Sequence, residues 1–184
     1  MGVMEWDEYY LRICDAVASN SKCLSRKIGA ILVKDKSIIA QGYNGPPRGV
    51  SHCGDRYTLD AELQNALAKK GIDYNDPELR SSCPRYVLGF KSGEGLMYCC
   101  AGHAERNTLI NAARNGICTK DTIMYMSCPV PCSPCLIEII NAGVSEIVVT
   151  SKDYYDLTTA YILSESGLKV RTYHQAVMDK NTVK

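Results

Sequence analysis

Four residues restrict the folding of this chain more than any other feature. They are His103 and Glu105 in Gly102-His103-Ala104-Glu105, and Cys132 and Cys135 in Pro131-Cys132-Ser133-Pro134-Cys135. One imidazole and two thiolates make a three-ligand zinc set, which leaves the fourth tetrahedral position open for water. The fold must therefore carry two distant segments to one point. Each segment also opens a helix. The run after His103, from Ala104 to Arg114, has helical character with Asn115-Gly116 as its stop. Ser133-Pro134 reads as a cap followed by a first-turn proline; Leu136, Ile137, Ile139 and Ile140 give an apolar face, and Gly143 ends that helix. Both ligand groups thus fall at helix N-termini, where the positive dipole end favours thiolates.

Charge explains why these residue types are needed. Two thiolates cancel the formal charge of a zinc ion, so a water held there ionises near neutral pH while the metal still polarises it. Glu105 is placed to take and return protons, provided a closed, dry pocket raises its carboxyl pKa. His103, Cys132 and Cys135 are therefore assigned as metal ligands and Glu105 as the general acid/base. The alternative is a structural zinc clip, or a buried histidine beside two core cysteines. A lone His or C-x-x-C would favour that alternative; the joint pattern, each half opening a helix, favours a reaction centre.

The rest of the chain supplies a frame for this pair. Residues 6–18 read as an amphipathic helix, and 28–33 with 37–43 as a strand pair turning at Lys34-Asp35-Lys36. Strands at 122–126 and 146–150 flank the second ligand helix, and a helix at 157–166 precedes a last strand at 168–173. Strands alternating with helices after an initial hairpin predict an α/β layered domain with a mixed five-stranded sheet. Residues 44–101 read as an irregular insertion apart from a helix at 59–69, and 177–184 read as a loose end. The expectation is a single domain over 1–184.

Length and composition narrow the function classes. A chain of 184 residues can bury a respectable core. A net charge of +1 gives no electrostatic case for broad nucleic-acid binding. No apolar run is long enough to span a bilayer, and the first residues do not form a signal peptide. Ten cysteines in such a chain point to metal or buried thiols in a cytoplasmic protein rather than to a disulfide framework. Cys14, Cys118 and Cys128 read as packing residues.

The chain resembles the deoxycytidylate (dCMP) deaminases of the cytidine deaminase superfamily. Beyond the zinc motifs, the likeness rests on Ser21-Lys22-Cys23-Leu24-Ser25-Arg26-Lys27-Ile28-Gly29-Ala30, on Gly42-Tyr43-Asn44-Gly45-Pro46-Pro47-Arg48-Gly49, and on Ile140-Asn141-Ala142-Gly143-Val144. It implies a three-layer α/β/α cytidine-deaminase-like fold and zinc-dependent hydrolysis of dCMP to dUMP with ammonia release, feeding thymidylate synthesis. A tRNA adenosine deaminase shares the zinc motifs but is expected to carry basic surface for folded RNA. A non-enzymatic zinc scaffold is the other alternative.

The same resemblance implies further sites. Arg26, Asn44, Ala104 and Tyr154 become substrate contacts, Arg26 as a phosphate ligand and Asn44 near the sugar. Arg26 reads equally as a solvated loop charge beside Lys27, Asn44 as a turn residue, and Tyr155 rivals Tyr154. Cys23 and Cys53 coincide with positions that hold a second zinc in some family members, and Cys83 and Cys99 resemble two further cysteines. Four thiolates would close a structural site and pin the insertion. Cys100 and His52 are competitors for that role. Family likeness also implies a homo-oligomer, a hexamer as in many dCMP deaminases, and control by dCTP and dTTP, with Mg2+, near the Tyr43-Asn44-Gly45 loop. No membrane and no stable nucleic-acid partner are expected.

Overall fold

The computed structural model describes residues 4–173, so the expectation for 177–184 lies outside the described residues. In chain order the elements are α1 (Trp6–Ser19), β1 (Gly29–Lys34), β2 (Ser37–Tyr43), α2 (Cys53–Leu59), α3 (Ala61–Ala68), α4 (Pro84–Val87), α5 (Ala104–Arg114), β3 (Ile123–Met126), α6 (Ser133–Asn141), β4 (Glu146–Val149), α7 (Leu157–Ser166) and β5 (Lys169–Thr172). Among the described residues two compact units emerge: one of residues 4–21, 28–44 and 103–173, the other of residues 22–27 and 45–102.

The first unit holds the sheet, in the order β2-β1-β3-β4-β5. β1 is antiparallel to β2 and to β3, while β3, β4 and β5 run parallel. The hairpin turns on Asp35 and Lys36, both with positive φ (48° and 63°), the backbone that a two-residue turn between right-twisted strands requires. Side-chain alternation then assigns the layers. Ala30, Leu32, Met124, Met126, Ile147 and Val149 face one side and pack with Ala104 and Ala112 of α5 and with Leu136 and Ile139 of α6. Ile31, Val33, Tyr125 and Val148 face the other side, against Tyr10, Leu11, Cys14 and Val17 of α1. Helices cover both faces, as expected of an α/β/α arrangement. Full coverage also explains why Gly29 to Val33 of β1 are all buried. Among the described residues no helix is long and apolar enough to cross a membrane.

The second unit corrects the expectation of an irregular insertion. α3 falls where a helix was expected, but Asp60 separates it from α2 and caps it by accepting the Leu63 N–H at 3.1 Å. Short 3-10 turns at Pro77–Ser81 and Leu96–Tyr98 and the four-residue α4 add to the ordered structure. Such elements are shorter than the window in which apolar periodicity can be read. Tyr57, Leu63, Leu67 and Leu88 form this unit's own core. Its ends are paired: Gly45 and Gly102 exchange backbone hydrogen bonds of 3.1 and 2.8 Å.

Candidate active site

The ligand residues stand where the chain enters two helices. His103 is the N-cap of α5 and Cys132 the N-cap of α6, and neither side chain makes a capping hydrogen bond. The sequence placed the cap of the second helix at Ser133; the structure places it one residue earlier, with Ser133 as the first helical residue. That shift matters chemically, because a cap residue whose side chain does not bond its own helix can offer that side chain elsewhere. Pro134, in the first turn, gives up no helical hydrogen bond. Cys135 follows and is buried, and Leu136 and Ile139 beyond it are fully buried. Burial of each of those two side chains contributes about 1.5–3 kcal/mol, so the C-x-x-C turn rides on a firmly anchored helix.

A close approach sets the position of α5. A β-carbon on Gly42 of β2 would lie 2.5 Å from the backbone nitrogen of Thr108. Only glycine lets the helix backbone settle this near the strand. Thr108 donates its hydroxyl to Ala104 O and Ala30 O at 2.8 and 3.1 Å, and the amides of Asn107 and Asn111 donate to Tyr43 O and Gln41 O, both at 2.8 Å. The helix is tied along its length to β1 and β2.

The three ligand atoms converge. His103 Nδ1 lies 3.4 Å from Cys132 Sγ and 3.3 Å from Cys135 Sγ. Zinc–sulfur and zinc–nitrogen bonds of about 2.3 and 2.0–2.1 Å at tetrahedral angles would set sulfur and nitrogen about 3.6 Å apart. The donor set therefore fits zinc in both chemistry and spacing. Among the described residues this is the group of His, Cys, Asp and Glu side chains with ligand atoms within 4.8 Å of one another. Electrostatics agrees. The hydrogen bond from Cys135 and, against burial, that from His103 hold the Cys132 thiol down to about 4. Cys135 keeps the proton: its hydrogen bond to Cys132 and its burial push it far above the ordinary thiol range. A cation bound between the two sulfurs would favour release of that second proton. Glu105, only 4% exposed, bears its charge on both His103 and Cys135.

The other expected site residues are distributed unevenly. Ala104 is buried as the first residue of α5. Asn44 is buried, and its side-chain oxygen accepts the Ile28 N–H at 2.9 Å while its backbone oxygen accepts the Ser21 hydroxyl at 2.7 Å. It thus fixes the end of the hairpin. Tyr154 and Tyr155 are both exposed, ahead of α7. Arg26 belongs to the second unit. So do Cys23, Cys53, Cys83 and Cys99, which do not gather to the ligand spacing seen at His103. Burial, then the charges of Cys100, Cys99, Cys23 and Cys83, push the Cys53 thiol up to about 12. Cys100 is thus a nearer electrical neighbour of Cys53 than Cys99 is. Cys14 and Cys128 are buried as expected, but Cys118 is exposed, three residues past the end of α5 cap Asn115, and packs nothing away from water.

Sequence reasoning missed one capping residue. Asp156 caps α7 by accepting the Thr159 N–H at 2.7 Å. That bond foremost holds its carboxyl below the usual range. An aspartate just before an apolar run was a legible helix cap.

Residues 4–151 match the family described as the cytidine and deoxycytidylate deaminase zinc-binding region, and the chain belongs to that family. Deoxycytidylate deaminase of Schizosaccharomyces pombe is 29% identical over 91% of this chain and 44% of its own length. The chain therefore spans less than half of that relative. Deoxycytidylate deaminase of Enterobacteria phage T4 is 34% identical over 75% of this chain and 74% of its own. The dCMP deaminase of cyanophage S-TIM5, solved in complex with dCMP and dUMP, shares the fold with a TM-score of 0.62 at 23% identity, covering 94% of this chain and 99% of that one.

Proposed function

We propose that this chain deaminates dCMP to dUMP, with zinc held by His103, Cys132 and Cys135 and with Glu105 as the proton carrier. The observation that carries this is the convergence of three zinc-type ligand atoms within 4.8 Å, beside a buried carboxylate that is not needed to complete the ligand set. The names of the relatives supply the substrate. A zinc ion bound there contributes Lewis acidity, which makes water a nucleophile near neutral pH. Glu105 accepts a proton from the attacking water and delivers it to the ring nitrogen as oxygen adds to C4. It then carries a second proton to the exocyclic nitrogen; the C4–N bond breaks, ammonia leaves and the uracil carbonyl remains. Water is consumed and ammonia released, with no net proton left on Glu105. His103 and Cys132, as helix caps, keep the centre rigid through this exchange.

Several finer assignments belong to the same proposal. Arg26 offers a two-point donor for the 5′-phosphate, and Asn44, Ala104 and Tyr154 complete the substrate contacts. A second, structural zinc at Cys23, Cys53, Cys83 and Cys99 rests on family likeness, because their thiols do not gather to ligand spacing. Ten cysteines, none in a disulfide, suit a reducing compartment. Control by dCTP and dTTP with Mg2+, assembly into a hexamer and supply of dUMP to thymidylate synthesis rest on family likeness.

Ammonia release tests the activity. The zinc-loaded chain is offered dCMP, CMP, deoxycytidine, dCTP and adenosine-containing tRNA, each with and without dCTP and dTTP as effectors. Preferential turnover of dCMP is expected. Turnover confined to tRNA, or zinc binding without turnover of any cytosine nucleotide, would overturn the proposal.

A further inference from the structure

One ion pair links the two ligand helices. Arg106 follows Glu105 on α5, and Glu138 lies one turn beyond Cys135 on α6. Arg106 Nε donates to Glu138 Oε2 at 2.9 Å and its Nη2 to Oε1 at 2.8 Å, a two-point pairing. As a surface pair, with both side chains 42% exposed, it would contribute about 0–1 kcal/mol to stability. Its place is unusual for a cation, however. The first turn of a helix favours negative charge, so an arginine there needs a local reason. One is present: the Glu138 carboxylate of α6, which the guanidinium meets at two points.

We infer that Arg106 and Glu138 are positioning residues of the deamination centre: the carboxylate pins the guanidinium across α5 and α6, and this bridge between the two helices holds His103 and the Cys132–Cys135 turn at ligand spacing. Outer-shell groups of this kind orient ligands and tune a bound metal without touching it. The inference rests on the zinc-deaminase reading of the same site.

The test uses the full chain, loaded with zinc or cobalt(II), and the variants R106Q, E138Q and R106Q/E138Q. Zinc affinity is read by chelator competition, ligand geometry by the cobalt(II) visible spectrum, and kcat and KM for dCMP by ammonia release. R106Q is expected to weaken zinc binding about 10-fold or more. It should also change the cobalt bands and lower kcat, with KM little altered, because the ligand helices lose their bridge. E138Q removes the same bridge and should act in the same direction, and the double variant should be no worse than R106Q. Wild-type affinity and spectrum in R106Q would overturn the inference, as would losses that add in the double variant. A wild-type chain that holds no zinc or leaves all cytosine nucleotides unchanged would instead sink the underlying reading.

Discussion

Glu105 and its neighbours show how much a single helix turn can specify. His103 caps α5, Ala104 is buried against the sheet, and Glu105 is buried, so in the proposed reaction three successive residues would serve ligation, packing and proton transfer. The types and spacing were readable because each has few other reasons to occur together at a helix start. Replacing Glu105 by Gln removes the proton carrier and leaves the ligands. Such a variant should keep its zinc while kcat for dCMP falls at least ~10²-fold, as measured by metal analysis and ammonia release. Turnover near the wild-type rate would remove Glu105 from its role.

At the scale of elements, contact geometry decides what periodicity cannot. α5 reaches its place because Gly42 has no side chain, and Gly42→Ala forces a carbon to within 2.5 Å of the Thr108 nitrogen, an atom that cannot rotate away. We expect a loss of about 1–3 kcal/mol in denaturant unfolding from this overpacking, with a parallel fall in kcat because His103 and Glu105 move with the helix. A second element-level device is Asp156, the cap of α7. Its folded carboxyl pKa is depressed, so its contribution is present above the unfolded value of about 3.9 and is lost as pH falls through the folded one. Asp156→Asn should therefore be less stable than wild type near neutral pH. Its thermal midpoint should also depend less on pH between roughly pH 6 and pH 3. Parallel curves for the two proteins would exclude the charged cap as a source of stability.

On the scale of the whole molecule, the sheet unit and the insertion unit have separate cores and separate thiol sets. Metal content distinguishes what each unit does. Two zinc ions per chain are expected, with Cys53→Ser losing one ion and retaining deaminase activity, and Cys132→Ala losing the other along with activity. A wild-type content of one ion, removed by Cys132→Ala, would leave the insertion as a protein-only unit held by Tyr57, Leu63, Leu67 and Leu88.

Local chemistry was sufficient to single out His103, Cys132 and Cys135, whose side-chain ligand atoms lie together, and for the helix that follows His103 and the alternating strands, because caps, turns and apolar periodicity act over a few residues. The helices α2 and α4 of the insertion escaped that reading, since four to seven residues hold too little pattern. Long-range approach decided the remainder. The strand order, the seat of α5 on Gly42 and the pairing of Arg106 with Glu138 all join residues that meet only once the sheet has formed. Hydrogen bonds and ion pairs act over a few ångströms, so no linear spacing announces which distant side chains will come within their reach.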